Sequence, residues 1–145
     1  MIYNVVSPYL VAIIIAWIGA HAIKYIIGLT KNNTYKFSSY LFMSGGMPSS
    51  HTATVMALTT VIGFCNGFGS GLFGLSMLVA LIVMYDAMKV RRSSGEQGAA
   101  IKELIKEQRS NVKNPRVSNG HTPLEVAIGA LLGITIGYVV FLSAI

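Results

Sequence analysis

The stretch Gly45-Gly46-Met47-Pro48-Ser49-Ser50-His51-Thr52-Ala53 decides how the rest of the chain is interpreted. Two glycines free the backbone for a turn, and the proline then fixes φ just before a helix that we expect to run to Phe64. Ser49 or Ser50 is placed to cap that helix. Because a helix start offers unpaired N–H groups and a partial positive charge, the segment suits an anion, to which His51 could donate a proton. A serine-capped turn with a histidine at a membrane interface explains the same residues equally well.

The composition indicates a membrane protein. The 145 residues are 53% hydrophobic and only 11% charged, against roughly 25% charged residues in soluble domains. The length predicts a single domain over residues 1–145. Cys65 is the only cysteine, which excludes an intrachain disulfide. The first apolar run follows no Lys or Arg and is too long for the apolar region of a signal peptide, so we expect it to stay in the membrane.

Four apolar segments predict an all-α membrane bundle, because each approaches the length needed to cross ~30 Å of hydrocarbon. They are residues 5–29, 49–64, 72–88 and 123–145. Residues 31–44 are polar and aromatic, which predicts an interfacial loop or short helix. Residues 93–98 interrupt the apolar pattern, and residues 99–109 then predict an amphipathic helix lying on the membrane surface.

Threading these segments alternately through a bilayer brings the ionisable residues to one membrane side. They are Lys24 near the end of the first span, His51 at the start of the second, Asp86, Arg91 and Arg92 at the end of the third, and His121 and Glu125 at the start of the fourth. All eleven Lys and Arg residues fall on this side as well, so the positive-inside rule makes it cytoplasmic and places both termini outside. Lys24 shares a helix face with His21, and it either snorkels to the headgroups or turns inward toward a phosphate.

The last span carries a stripe of residues at a spacing of four, which keeps them on a slowly turning helix face. The stripe consists of His121, Glu125, Gly129, Gly133 and Gly137. Its glycines allow a neighbouring helix to approach closely, and, separately, Ala53 and Ala57 give the second span a small face for close packing. Since four short helices bury little surface, a homodimer through a glycine-rich face is also expected. The packing of the three glycines does not account for His121 and Glu125, which begin the stripe.

Three motifs resemble the divergent branch of the type 2 phosphatidic acid phosphatases, whose superfamily includes the vanadium-dependent haloperoxidases. Residues 45–51 are similar to the family's Pro-Ser-Gly-His motif, with Ser50 in place of glycine. His121-Thr122-Pro123-Leu124-Glu125 is similar to its His-x-x-x-Asp motif, with glutamate for aspartate. The stretch Asp86-Ala87-Met88-Lys89-Val90-Arg91-Arg92, within residues 85–98, resembles the divergent branch itself.

The positively charged residues differ from the pattern of that family. The lysine motif that ends in arginine-proline is absent, and Lys24 followed seven residues later by Lys31 repeats it only in part. Pro115 occupies the position of the arginine that normally precedes the nucleophile by six residues. By their placement at the end of the third span, Arg91 and Arg92 would supply the missing positive charge.

The resemblance implies a metal-independent lipid-phosphate phosphatase. His121 would attack phosphorus to form a phosphohistidine, Glu125 would accept the proton on the other ring nitrogen, and His51 would protonate the leaving alcohol and then activate water. The phosphate would be bound by Lys24, Ser49, Ser50, Arg91 and Arg92, with Asp86 in support. The implied substrate is a phosphomonoester of the membrane lipids, similar to phosphatidate or phosphatidylglycerophosphate. No cofactor and no nucleic-acid partner is implied.

Other functions remain open from the sequence. A non-catalytic lipid-phosphate-binding or transport protein would also carry ionisable residues at the membrane edge, and a polyprenyl (pyro)phosphate phosphatase would use the same residues. A metal site made by His51, His121 and either Asp86 or Glu125 is disfavoured, because the clustered Lys and Arg would repel a cation.

Overall fold

The computed structural model of the chain describes residues 7–30, 45–115, 117 and 120–144. Within these ranges the regular structure is helical and no strand occurs. The helices are α1 (Pro8–Thr30), α2 (Ser50–Asn66), α3 (Gly71–Tyr85), α4 (Arg91–Glu107) and α5 (Pro123–Ala144). A five-residue π-helical turn, Asp86–Val90, joins α3 to α4 without a break. The predicted interfacial segment 31–44 lies outside the described residues.

Helix α2 is the centre of the bundle, packing against α1, α3 and α5. The core between these helices consists mainly of small side chains: Ala12, Ala16, Ala20, Ala53, Ala57, Val61 and Val140. The hydroxyl of Thr60 donates to the carbonyl of Met56 at 2.7 Å, and that of Thr59 donates to the carbonyl of Ser76 at 3.3 Å. The polar groups of α2 are therefore satisfied inside the bundle, which allows a helix with several threonines to be buried.

Helices α2 and α5 run parallel and touch backbone to backbone. A Cβ atom added to any of the three stripe glycines of α5 would lie less than 3.0 Å from a carbonyl oxygen of α2, closer than real Cβ atoms lie. The contacts keep one register: Gly129 on Ser49, Gly133 on Ala53 and Gly137 on Ala57. The predicted close approach of a neighbouring helix to the glycine stripe is confirmed, and the structure identifies that neighbour as α2. The contact brings the starts of the two helices to the same end of the bundle.

Three helices are long and apolar enough to cross a membrane: α1, α5 and the continuous helix over residues 71–107. Large apolar side chains such as Leu10, Ile82 and Leu131 are exposed on their outer faces, as expected for surfaces in contact with lipid. Helix α2, with 17 residues, is shorter and largely enclosed by the others. The predicted class, a helical membrane protein, is confirmed, and three helices have the length of a span where four spans were predicted.

The predicted interruption at residues 93–98 is wrong. These residues are helical, and Gly95 and Gly98 among them are buried, so the glycines do not end the helix. The stretch predicted as a separate amphipathic helix instead continues α4 as far as Glu107. The 37 residues of the continuous helix extend for roughly 55 Å at about 1.5 Å per residue, well beyond the ~30 Å hydrocarbon layer. Its last turns therefore project out of the membrane.

Candidate functional site

The start of α5 is a capping box that also holds a histidine. The Thr122 N–H donates to Oε2 of Glu125 at 3.0 Å, and the Glu125 N–H donates to Oγ1 of Thr122 at 3.3 Å. The same Oε2 lies 3.1 Å from Nδ1 of His121. The carboxylate therefore favours the tautomer with its proton on Nδ1, which leaves the lone pair on Nε2. The predicted histidine–glutamate pair is present in the structure.

The two residues just before Thr122 lie against the π-helical turn and the start of α4. The N–H of His121 donates to the carbonyl oxygen of Ala87 at 2.9 Å. Gly120 has φ of 50°, and a Cβ there would lie 2.7 Å from the backbone nitrogen of Arg92. Glycine is therefore needed for both the backbone angle and the close approach. Single π-helical turns occur frequently at functional sites, and this one positions the backbone of the histidine.

His121 is 5% exposed, and its surroundings favour the neutral ring. Burial lowers the pKa of its imidazole below the usual value, and the nearby charges of Lys24 and Arg91 act in the same direction. The hydrogen bond and the charge of Glu125 raise the pKa but do not cancel the effect of burial. A neutral imidazole with Nδ1 protonated presents Nε2 as a nucleophile.

The start of α2 adjoins that of α5. Ser49 caps α2, because its Oγ accepts from the N–H of Thr52 at 3.5 Å and from its hydroxyl at 3.0 Å. The Ser49 N–H donates to the carbonyl of Glu125 at 3.1 Å. The Ser49 N–H and the lone pairs of its Oγ are thus engaged within the protein. The predicted contact of Ser49 with phosphate stays a prediction. The N–H groups of Ser50 and His51 complete the helix start, where they have no partner within the helix itself.

Two cations lie beside these helix starts. Lys24 of α1 is 6% exposed and interacts electrostatically with Glu125, so of the two orientations left open by the sequence it has the inward one. The Nε of Arg91 lies 2.6 Å from Oδ2 of Asp86, and Arg91 interacts electrostatically with both His51 and His121. Asp86 therefore holds Arg91 near the histidines, and its predicted role in support of phosphate binding stays a prediction.

Arg92 is placed differently. Its Nε lies 3.2 Å from Oε1 of Glu96, and its side chain is 59% exposed. Together with residues at the start of α5 it borders a pocket of about 250 Å³, smaller than the roughly 300–1,000 Å³ of sites that enclose a whole drug-sized ligand. The lining residues are Gly46, Arg92, Gly120, His121, Thr122 and Glu125. The pocket has the size for a headgroup.

Comparison with known proteins identifies the family of the chain. The sequence profile of the Divergent PAP2 family matches residues 5–136. The chain belongs to the Divergent PAP2 family. It is also similar to the uncharacterized membrane protein YuiD of Bacillus subtilis, with 37% identity over 111 residues that cover 66% of this chain and 70% of that protein. No solved structure matches the chain. This PAP2-related protein is therefore a multi-pass membrane protein.

Two residues near the site of this divergent PAP2 protein were not predicted as part of it. Thr122 could have been found, because Thr-x-x-Glu before an apolar run is the sequence signature of a capping box. His21 was noted only as a neighbour of Lys24, and the structure places it in the interior, within electrostatic range of His51. The described residues bring no group of three His, Cys, Asp or Glu side chains together as metal ligands.

Proposed function

We propose that this protein is a membrane lipid-phosphate phosphatase that hydrolyses a phosphomonoester through a phosphohistidine. The observation that carries the proposal is the pair of His121 and Glu125. The imidazole is buried, its Nδ1 is bonded to the carboxylate at 3.1 Å, and its Nε2 is left as the nucleophilic atom beside buried or paired cations. Membership in a PAP2-related family supports the same chemistry.

In the first step, Nε2 of His121 attacks phosphorus and forms an N–P bond. The bond from phosphorus to the alcohol oxygen breaks, and His51 gives that oxygen a proton so that it leaves as the neutral alcohol. Negative charge on the equatorial oxygens is stabilised by Lys24, Arg91 and the N–H groups at the start of α2. Phosphoryl transfer depends mainly on such charge stabilisation and positioning.

In the second step, His51, now neutral, takes a proton from water. The resulting hydroxide attacks phosphorus, the N–P bond breaks, and its electron pair returns to Nε2 of His121. Inorganic phosphate leaves. The proton on Nδ1 stays in its hydrogen bond to Glu125 throughout, so the tautomer needed for the next cycle is preserved.

Three histidines in the whole chain make the nucleophile easy to assign. Purified protein incubated with ³²P-labelled phosphatidate and quenched in alkali should carry acid-labile label, and His121→Ala should carry none and release no phosphate. His51→Ala should still accept label from an activated aryl phosphate, because that leaving group needs no proton. Wild-type turnover in His121→Ala would refute the mechanism. Saturable lipid binding without phosphate release by the wild type would favour a non-catalytic binding protein.

The proposed site faces the cytoplasm, because the eleven basic residues were all predicted on its side of the membrane. A lipid phosphate of the inner leaflet, such as phosphatidate or phosphatidylglycerophosphate, could then enter between the helices. With Cys65 replaced, a cysteine at Asn114 should be protected from an impermeant thiol reagent in intact cells, and one at Ser70 should be labelled. The opposite labelling would place the site outside and make polyprenyl pyrophosphates of the outer leaflet the better substrates.

A further inference from the structure

His21 is a buried polar side chain that the proposed reaction leaves unused. It lies on α1 and is 3% exposed. Its Nδ1 is 2.8 Å from the carbonyl oxygen of Trp17. Because a carbonyl oxygen can only accept, Nδ1 must carry the hydrogen, and in the neutral ring Nε2 is then an acceptor. No side chain or backbone group among the described residues donates to this nitrogen, which is unusual for a buried polar atom.

The ring of His21 lies on the lipid-core side of the proposed phosphate position. The start of α1 meets the end of α2, where the Tyr9 hydroxyl donates to Oδ1 of Asn66 at 2.7 Å, so α1 runs toward the site. Lys24 reaches Glu125 electrostatically, and His21 precedes it by three residues on the same face, roughly 4.5 Å deeper at about 1.5 Å per residue. His21 also interacts electrostatically with His51, the proposed proton donor to the leaving oxygen.

A second contact fixes the orientation of this imidazole. The rings of Trp17 and His21 lie with their centroids 4.5 Å apart and their planes at 47°. With the Nδ1 hydrogen bond on one edge and the tilted indole packed beside the ring, the imidazole has little freedom to turn. Nε2 is thus a preorganised acceptor, whose binding to a donor costs little additional ordering.

We propose that His21 binds the alcohol part of the substrate, with Nε2 accepting a hydrogen bond from a hydroxyl next to the phosphoester. The inference rests on the proposed function and specifies its substrate class. Phosphatidylglycerophosphate has such a hydroxyl on the carbon beside the one that carries the phosphate. Phosphatidate has an ester oxygen at the corresponding place, which can only accept and would leave Nε2 unpaired. Sites built to bind a hydroxyl discriminate against analogues that lack it.

The first test compares two substrates in one set of variants. Full-length purified protein should show a kcat/KM for dioctanoyl phosphatidylglycerophosphate about tenfold above that for dioctanoyl phosphatidate, the effect of roughly one buried hydrogen bond. His21→Leu should remove this preference while hydrolysis of phosphatidate persists, which also shows that the variant folds. His21→Gln should retain part of the preference, because the amide oxygen can accept. An unchanged ratio in His21→Leu, or equal losses on both lipids, would overturn the inference.

The second test does not depend on turnover. Trp17 is the only tryptophan of the chain, so its fluorescence reports on the contact with His21. In a His121→Asn background, titration with dioctanoyl phosphatidylglycerophosphate should change the emission and saturate at about tenfold lower concentration than with dioctanoyl phosphatidate. His21→Leu should abolish the difference. If the wild type hydrolyses neither lipid but the difference persists, the proposed phosphatase fails and the binding role of His21 stands. If hydrolysis occurs without any difference, the inference alone fails.

Discussion

Exchanging Arg91 for glutamine should slow phosphate release about a hundredfold with little effect on stability. The guanidinium is held by Asp86 at 2.6 Å and interacts electrostatically with His51 and His121. It is therefore placed to meet the charge that develops on a phosphoryl group at His121. Loss of one such charge-stabilising donor typically raises the barrier by roughly 3 kcal/mol, which corresponds to about a hundredfold in rate.

The stability cost is expected to be much smaller. The side chains of Arg91 and Asp86 are 40% and 36% exposed, and ion pairs with this access to solvent contribute roughly 0–1 kcal/mol. Arg92→Gln is the matched control, because it removes the same charge from the adjacent position. Its partner is Glu96 at 3.2 Å, on the exposed side of the helix. Because Arg92 borders the pocket beside His121 but its side chain is 59% exposed, Arg92→Gln should slow phosphate release less than Arg91→Gln does.

The assay is the initial rate of phosphate release from dioctanoyl phosphatidate in detergent micelles, with thermal unfolding of the same samples. Arg91→Gln should show a lower kcat at a nearly unchanged midpoint of unfolding. A wild-type rate for Arg91→Gln would remove this residue from the site. A larger loss for Arg92→Gln than for Arg91→Gln would show that the two arginines have been assigned the wrong way round.

Three further predictions test other parts of the site. Glu125→Gln removes a charge that raises the pKa of His121. Activity should therefore fall, and the acidic limb of the pH–rate profile should move to lower pH. An acidic limb that stays in place or moves to higher pH would contradict the pairing of Glu125 with His121. Gly133→Val forces a side chain onto the backbone of α2, and overpacking of this kind costs roughly 1–3 kcal/mol. Its unfolding midpoint should fall further than that of Gly74→Val, where an added Cβ meets nothing within 4 Å. His51→Ala should slow hydrolysis of an alkyl phosphate more than that of an activated aryl phosphate, and equal losses would limit His51 to binding.

The features that could be predicted from the sequence are those that depend on long regular patterns. Glycines at a spacing of four in the last span indicated a close helix contact, and the structure places each of them on a carbonyl of α2. The alternation of apolar segments predicted that Lys24, His51 and His121 lie at one end of the bundle. In the structure, His51 interacts electrostatically with both Lys24 and His121, so the three residues are close together. Such patterns extend over many residues, so a local exception does not hide them.

The features that could not be predicted depend on tertiary contacts. Ser and Gly in residues 93–98 have low helix propensity, but Gly95 and Gly98 are buried and the helix continues through them. Both Arg91 and Arg92 were predicted to bind the phosphate, but adjacent helical residues point about 100° apart, so the two side chains cannot face the site equally. The sequence does not say which of them faces it more directly, because the π-helical turn just before them changes the phase of the helix.

Glu125 connects the chemistry of the site to the stability of the helix start. A capping box takes Glu or Gln at the third helical position because the side chain has to reach back to the residue before the helix, and the carboxylate of Glu125 does so while also bonding His121. Aspartate, which the related motif has at this position, is one methylene shorter. Glu125→Asp would therefore weaken the helix start and the preference for the histidine tautomer in a single mutation. One carboxylate thus couples the order of the helix end to the position of the proton on the histidine, and neither can be altered at this residue without the other.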